Sequence, residues 1–403
     1  MSMAVRIQLP PHNYFLYHLM KTSLCVIAAY TNVTPEFKLR EGWVEFRNVV
    51  PTIFAQGLKT LIDDVVRNNQ FGSPVRLTTG DARRLRSKRS GYVNTIVSPC
   101  VRREVDVDCI LNNYVNWFIK DTTRSLNELS SALGVFRNGY PKDPGTYSVL
   151  GSFLPEFVEG LRVFGATEGV RGSVKPDAAL FRNIKVGIHS IFLGLLGLRI
   201  SRVFYERQRT YAVHLIPSDE AIELYARELG LNTLAGRDGR YSRIIKNLKR
   251  LRALTSDIVT LTYIALMQHT VGEVEVFELI AGVNRWEIIN YGVRALHPLP
   301  SFIDELRNLG KRGEVALRKL QSLIINTLNN ERTEIVEPVI RSIYQGLNGV
   351  MSVGEACYII SRLTYANDDE ERQKLTGLTP IDVNTICEAM EGTLRRLSHG
   401  GTS

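Results

Sequence analysis

"SRVFYERQRTYAVHLIPSDEAIELYARELG", residues 201–230, changes its period half-way, and that change decides the fold. Up to Ile216 the β-branched and aromatic residues crowd together as in one long strand or a hairpin. Pro217 ends it, because proline has no N–H to give to a ladder. From Ser218 the pattern turns helical, with a serine able to cap, acidic residues in the first turn where the helix dipole favours them, and Gly230 as the stop. The chain therefore reads as an α+β N-terminal part, residues 1–217, built on a mixed or antiparallel sheet, followed by an all-α helical bundle, residues 218–403.

Upstream of this junction "AVRIQL" (4–9) and "GWVEFRNVV" (42–50) alternate in the strand manner, the first stopped by Pro10 and Pro11. Between them and beyond lie helical stretches. "PTIFAQGLKTLIDDVVRNN" (51–69) opens on a proline and closes on an asparagine pair. In "DCILNNYVNWFIKDTTRSLNELSSAL" (108–133), Ile110, Tyr114, Phe118, Leu126, Leu129 and Leu133 recur at three- and four-residue steps. "VEGLRVFGATEGVRGSVKP" (158–176) is Gly-rich and reads as a loop or hairpin. Downstream, helical periodicity with caps marks 240–253, 256–269, 274–281, 284–292, 300–309, 312–329, 332–347, 352–365 and 379–397.

The length of 403 residues and 44% hydrophobic content suffice for a folded protein of two or three domains. Charge is less ordinary. Fifty Lys and Arg against 41 Asp and Glu give +9, and the excess is uneven: residues 1–258 hold 36 basic and 23 acidic residues, net +13, while residues 259–403 hold 14 and 18, net −4. Such asymmetry favours a polyanionic partner at the basic part and says nothing about fold. Five widely spaced cysteines, Cys25, Cys100, Cys109, Cys357 and Cys387, form no C-x-x-C. Neither a zinc site nor a disulfide framework is indicated, and a reduced, cytoplasmic setting is expected. "NYFLYHLMKTSLCVIAAY" (13–30) is interrupted by His18 and Lys21, and "VGIHSIFLGLLGLRI" (186–200) is too short for a bilayer. Both read as non-membrane segments, the second as a buried helix, so no membrane partner is expected.

Two basic clusters carry the functional reading. "ARRLRSKRSGY" (82–92) packs Arg83, Arg84, Arg86, Lys88 and Arg89 into seven positions between two strand-like runs. It reads as a basic loop or hairpin tip able to grip successive phosphates, with Tyr92 offering a ring to stack on a base. "GRDGRYSRIIKNLKRLR" (236–252) sets Arg240, Arg243, Lys246, Lys249 and Arg250 on a helix. Arg243, Lys246 and Arg250 form one stripe, and Ile244, Leu248 and Leu251 form the stripe that packs inward. A solvated surface is the bland reading of each cluster. Together they favour nucleic acid, whose condensed counterions are released as phosphates are neutralised.

Catalytic constellations are weak. There is no P-loop, no H-E-x-x-H and no G-x-S-x-G. Asp106 and Asp108 ("DVD") would hold Mg²⁺ only if a strand put both carboxylates on one face. Lys175, Asp177 and Lys185 lack the second carboxylate of a metal nuclease. His12 and His18 lie six apart, which is not a helical ligand spacing. No enzyme activity and no cofactor are expected.

"GYVNTIVSPCVRREVDVDCILNNYVNWFIKD" (91–121) and "YERQRTYAVHLIPSDEAIELYARELG" (205–230), set in a basic α+β half followed by helices, resemble the large subunit of an archaeal type I-A CRISPR effector (Cascade-like) complex. The resemblance implies a thermophile's non-enzymatic subunit of an antiviral ribonucleoprotein. Such a subunit helps recognise a short motif in target DNA, steadies the displaced strand and contacts other effector subunits. Some relatives carry a cysteine zinc site, which this chain lacks. On this reading the loop would meet duplex DNA and the 240–253 helix a single strand, while base pairing reads the sequence. The alternatives are a nucleocapsid-type coating protein and a metal-dependent nuclease.

Overall fold

The structure is a computed structural model, and it describes residues 3–10, 15–31, 33–68, 71–72, 75–77, 93–101, 105–131, 147–148, 185–186, 188–206, 211–254, 262, 274–281, 286–291, 298–330, 333–365 and 377–399. They fall into two compact units, the first Met1–Ile245 with Glu275–Asn290, the second Lys246–Val274 with Tyr291–Ser403. The change of texture at Pro217 is thus a change of sequence pattern, and the units divide later.

The first unit begins with a split βαβ arrangement. Strand β1 (Met3–Gln8) leads to helix α1 (Phe15–Thr31), then to the hairpin of β2 (Thr34–Lys38) and β3 (Trp43–Val49), and then to α2 (Pro51–Val66). The sheet order is β1-β3-β2, with β3 antiparallel to both neighbours. Val5, Ile7, Phe37, Val44 and Phe46 alternate onto the buried face, and Val49 is buried past the break in alternation at Asn48, which takes φ +56°. Helix α1 is apolar nearly all round and is buried nearly all round, as such a pattern requires. It packs against α2 and against the helix Ile188–Ser201, the buried helix expected there. At that crossing a Cβ on Gly197 would collide with the Leu19 carbonyl, so only glycine allows the approach.

The expected helix over 108–133 is two helices, α3 (Val107–Lys120) and α4 (Thr122–Ser131), broken at Asp121. Asp106 caps α3 by accepting from the Cys109 N–H at 3.2 Å. Four two-residue strands, β4 (Arg76–Leu77), β5 (Val105–Asp106), β6 (Tyr147–Ser148) and β7 (Lys185–Val186), precede the segment before Pro217, which of the two forms expected takes the hairpin, β8 (Arg202–Glu206) antiparallel to β9 (Tyr211–Pro217). Ser218 caps the next helix through the Ala221 N–H at 3.1 Å, and Gly230 stops it at φ +77°.

Two segments differ from the sequence reading. Residues 274–281 and 284–292, expected as helices, contain strands β10 (Val274–Ala281) and β11 (Trp286–Tyr291), which extend the second sheet in the order β11-β10-β9-β8. In "VEVFELIA" the buried residues Val274, Val276, Phe277 and Leu279 fall on both faces of the strand, and its β-branched and aromatic content outweighs the helical spacing.

In the second unit the helices Leu299–Asn308, Lys311–Asn330, Thr333–Leu347, Val353–Tyr365 and Pro380–His399 pack as a bundle, close to the boundaries expected. Ser352 and Glu355 form a capping box, with the Ser352 N–H donating to Glu355 at 2.9 Å and the Glu355 N–H to the Ser352 hydroxyl at 3.1 Å. Lys319 Nζ meets Asp382 at 2.5 Å. The stretch 256–269 lies outside the described residues apart from Thr262, as does 158–176.

The cysteines also differ from expectation. Cys100 and Cys109 form a disulfide with Cα atoms 5.6 Å apart, and Cys357 and Cys387 a second at 5.9 Å. Only Cys25, buried in α1, is free. Each pair is made by the fold rather than by a spacing motif, the first across the entry to α3 and the second between two facing helices. Cysteine spacing therefore gives no ground for a reduced setting. Among the described residues no helix is long and apolar enough to cross a membrane.

Candidate nucleic-acid interface

The helix Arg240–Leu254 is anchored as its sequence predicts. Tyr241, Ile244, Ile245 and Leu248 are buried, while Arg240, Arg243 and Lys246 are exposed. The Tyr241 hydroxyl donates to the Leu215 carbonyl at 2.6 Å and Ser242 to the Gly236 carbonyl at 2.7 Å, which fixes the first turns to the first unit. Arg240 Nη1 donates to the Tyr225 hydroxyl at 3.2 Å. Three cations thus stand on adjacent turns of one rigid element, about 4.5 Å apart along its axis. No described group forms an ion pair with Arg243 or Lys246. Side chains of Lys249, Arg250 and Leu251 lie outside the described residues, and so does the loop with Arg83, Arg84, Arg86, Lys88, Arg89 and Tyr92.

Arg237, just before the helix, has a different task. Its guanidinium grips Asp64 with two bonds of 2.7 and 3.2 Å, and Asp64 also accepts from Tyr30 at 3.0 Å and Asn68 at 2.7 Å. Burial pushes the Asp64 carboxyl up, but these donors together hold it below the usual carboxylate range. It is an anchor for the segment that carries the cationic helix.

The carboxylates weighed for metal are otherwise engaged. Asp106 is a helix cap, and Asp108 Oδ1 accepts from Arg199 Nε at 2.7 Å, so the two are not paired on one strand face. Arg199 is fully buried and also donates to the Val65 carbonyl at 2.7 Å and to Gly72. Lys175, Asp177 and His12 lie outside the described residues, and Lys185 is described by its strand alone. Among the described residues no three His, Cys, Asp or Glu side chains are placed to hold a metal.

One constellation escaped the sequence reading. Lys21 is fully buried, with Nζ at 2.6 Å from Asp219 and at 3.0 and 3.1 Å from the two Glu275 oxygens. His18 Nδ1 lies 2.7 Å from Glu275, and the Tyr17 hydroxyl donates to Asp219 at 2.8 Å. Burial and the carboxylates beside it raise the Tyr17 phenol. Burial pushes Glu275 up, and His18 and Lys21 hold it net below its usual range. The visible signal was a lysine inside an apolar helix, with Tyr17 four residues before it on the same face. The partners, 198 and 254 residues away, gave none.

Comparison of the chain with models of known protein families, with curated proteins and with solved structures found no match.

Proposed function

We propose that this chain is a non-enzymatic nucleic-acid-binding subunit of a CRISPR interference ribonucleoprotein, contacting target DNA through its basic helix and basic loop. The observation that carries the reading is the helix Arg240–Leu254, clamped on its apolar side and offering Arg243 and Lys246 to solvent. A cationic row on a rigid support suits a phosphate backbone, since each neutralised phosphate releases counterions and no sequence readout is needed from the protein. The resemblance in "GYVNTIVSPCVRREVDVDCILNNYVNWFIKD" supports the assembly, with other effector subunits as partners. The two disulfides fit an archaeal thermophile, whose intracellular proteins are disulfide-rich where mesophile ones are not.

The test is a salt titration of binding to labelled duplex DNA, single-stranded DNA and RNA, with wild type beside Arg243→Gln/Lys246→Gln and beside a variant neutralised at Arg83, Arg84, Arg86, Lys88 and Arg89. Wild-type affinity is expected to fall steeply with salt. Each phosphate contact removed should lower the log–log slope by about 0.9 on duplex or about 0.7 on a single strand. A wild type that binds none of the three removes the reading, and self-assembly on RNA without partners would replace it with a coat-type protein.

A further inference from the structure

We propose that the open face of the β1-β3-β2 sheet is a stacking platform for single-stranded nucleic acid, centred on Trp43 and Arg6. This rests on the nucleic-acid reading above and adds a second contact of a different physical kind.

Alternation along the three strands sends Val5, Ile7, Val44 and Phe46 to the core and leaves a solvent face of two full rows with Arg47 beyond them. Register sets Gln8, Trp43 and Lys38 across one row and Arg6, Glu45 and Glu36 across the next. Trp43 is only half-buried at the centre of the first row, a large ring set among charged side chains. The Arg6 guanidinium ignores its cross-strand neighbour Glu45 and lies 4.1 Å from the Trp43 ring centroid, with Lys38 Nζ at 5.7 Å. Indole and guanidinium are the two planar groups on which unpaired bases stack, and the open face of a split βαβ sheet is a known place for that contact.

Charge decides what holds the ligand. Glu36, Glu41 and Glu45 share Lys38 and Arg47: Lys38 lies 3.6 Å from Glu36 and 3.5 Å from Glu41, while Arg47 meets Glu45 at 3.1 Å and also Glu36. Trp43 Nε1 donates to Glu41 at 3.0 Å, which fixes the indole plane. Among the described residues Arg6 and Arg40 have no carboxylate partner. Four cations against three carboxylates complement a phosphate only weakly, so the bases must supply most of the affinity. Duplex DNA, with its bases already stacked, is thereby excluded. A cleft of about 510 Å³ borders the face, lined by Lys38, Arg40, Arg47 and Arg227 and by Glu36, Glu41 and Glu223. Its volume lies in the range of about 300–1,000 Å³ usual for small-ligand sites, and Arg40 stands in it for a phosphate next to the stacked base.

The experiment uses the full-length chain and a single-stranded oligonucleotide carrying 5-iodouracil, as DNA and as RNA, with the annealed duplex as a third arm. Photocross-linking of wild type, mapped by peptide mass spectrometry, is expected at Trp43 with the single strands and not with the duplex. Trp43→Ala should weaken single-strand binding about 5- to 150-fold, the range for one base stack, without changing the salt slope. Trp43→Phe should restore most of that loss. Arg243→Gln/Lys246→Gln should do the opposite, lowering the slope. If the wild type binds single strands with no cross-link at Trp43, or if Trp43→Ala, folded by circular dichroism, binds as wild type while the helix variant is weakened, this inference is overturned and the nucleic-acid reading stands. If the wild type binds no oligonucleotide, both fall together.

Discussion

Lys21 is fully buried, with its Nζ held between Asp219 and Glu275 while the Tyr17 hydroxyl donates to the same Asp219. Removing one partner of such a group leaves buried charge uncompensated, which typically costs about 3–5 kcal/mol. Glu275 is the partner whose titration is readable. Its carboxyl titrates lower in the folded chain than in the unfolded one, so its contribution is present above the unfolded value of about 4.3 and is lost as pH falls through the folded value. Glu128 behaves likewise: the His189 imidazole beside it and Arg124 at 2.8 Å hold it at about 2. Denaturant melts of Glu275→Gln are therefore expected to show a large loss of stability at pH 7 that shrinks below about pH 4. An offset from wild type that stays constant down to pH 3 would show that the charge is not what matters there.

At the scale of elements, the second disulfide joins Cys357 to Cys387 across 30 residues and ties the last two helices of the bundle. A loop of that length restricts the unfolded chain by about 3–4 kcal/mol on the chain-entropy account. Thiol titration in denaturant without reductant should return one thiol per chain, Cys25, and reductant should lower the melting temperature; five thiols would show both pairs reduced. The sequence announced most helices through period and caps, because a helix is a local object. The hairpin β10–β11 was not announced, because "VEVFELIA" follows neither period cleanly and only its seat beside β9 decides. The sites divide in the same way. Arg240, Arg243 and Lys246 were legible from three-residue steps along one helix. The Arg6–Trp43 pair was not, since it depends on which strand neighbours which, and the cysteine pairs depend on helix docking.

For the whole molecule, the uneven charge can be assigned to units. Met1–Ile245 with Glu275–Asn290 hold 33 basic and 25 acidic residues, net +8; the rest of the chain holds 17 and 16, net +1. Nearly all of the excess thus belongs to the first unit, which also carries the sheet face and the start of the cationic helix. Polyanion contacts should follow that excess. Cross-linking the full chain to a random-sequence single strand is expected to yield peptides from residues 1–245 in preference to 291–403. An even yield along the chain would mean that local geometry, and not net charge, places the ligand.

The path of the chain between the units has a consequence for synthesis. Strands β10 and β11, apart from their outermost residues Val274 and Tyr291, belong to the first unit, although the chain on both sides of them belongs to the second. A ribosome that has delivered Ile245 has therefore not delivered Glu275, and Lys21 has at that moment only Asp219 to neutralise it. The N-terminal unit is therefore expected not to close fully as it emerges. It waits for residue 290 of 403, and until then the outer edge of β9 is exposed, a nascent sheet offering an unpaired strand to any other chain nearby.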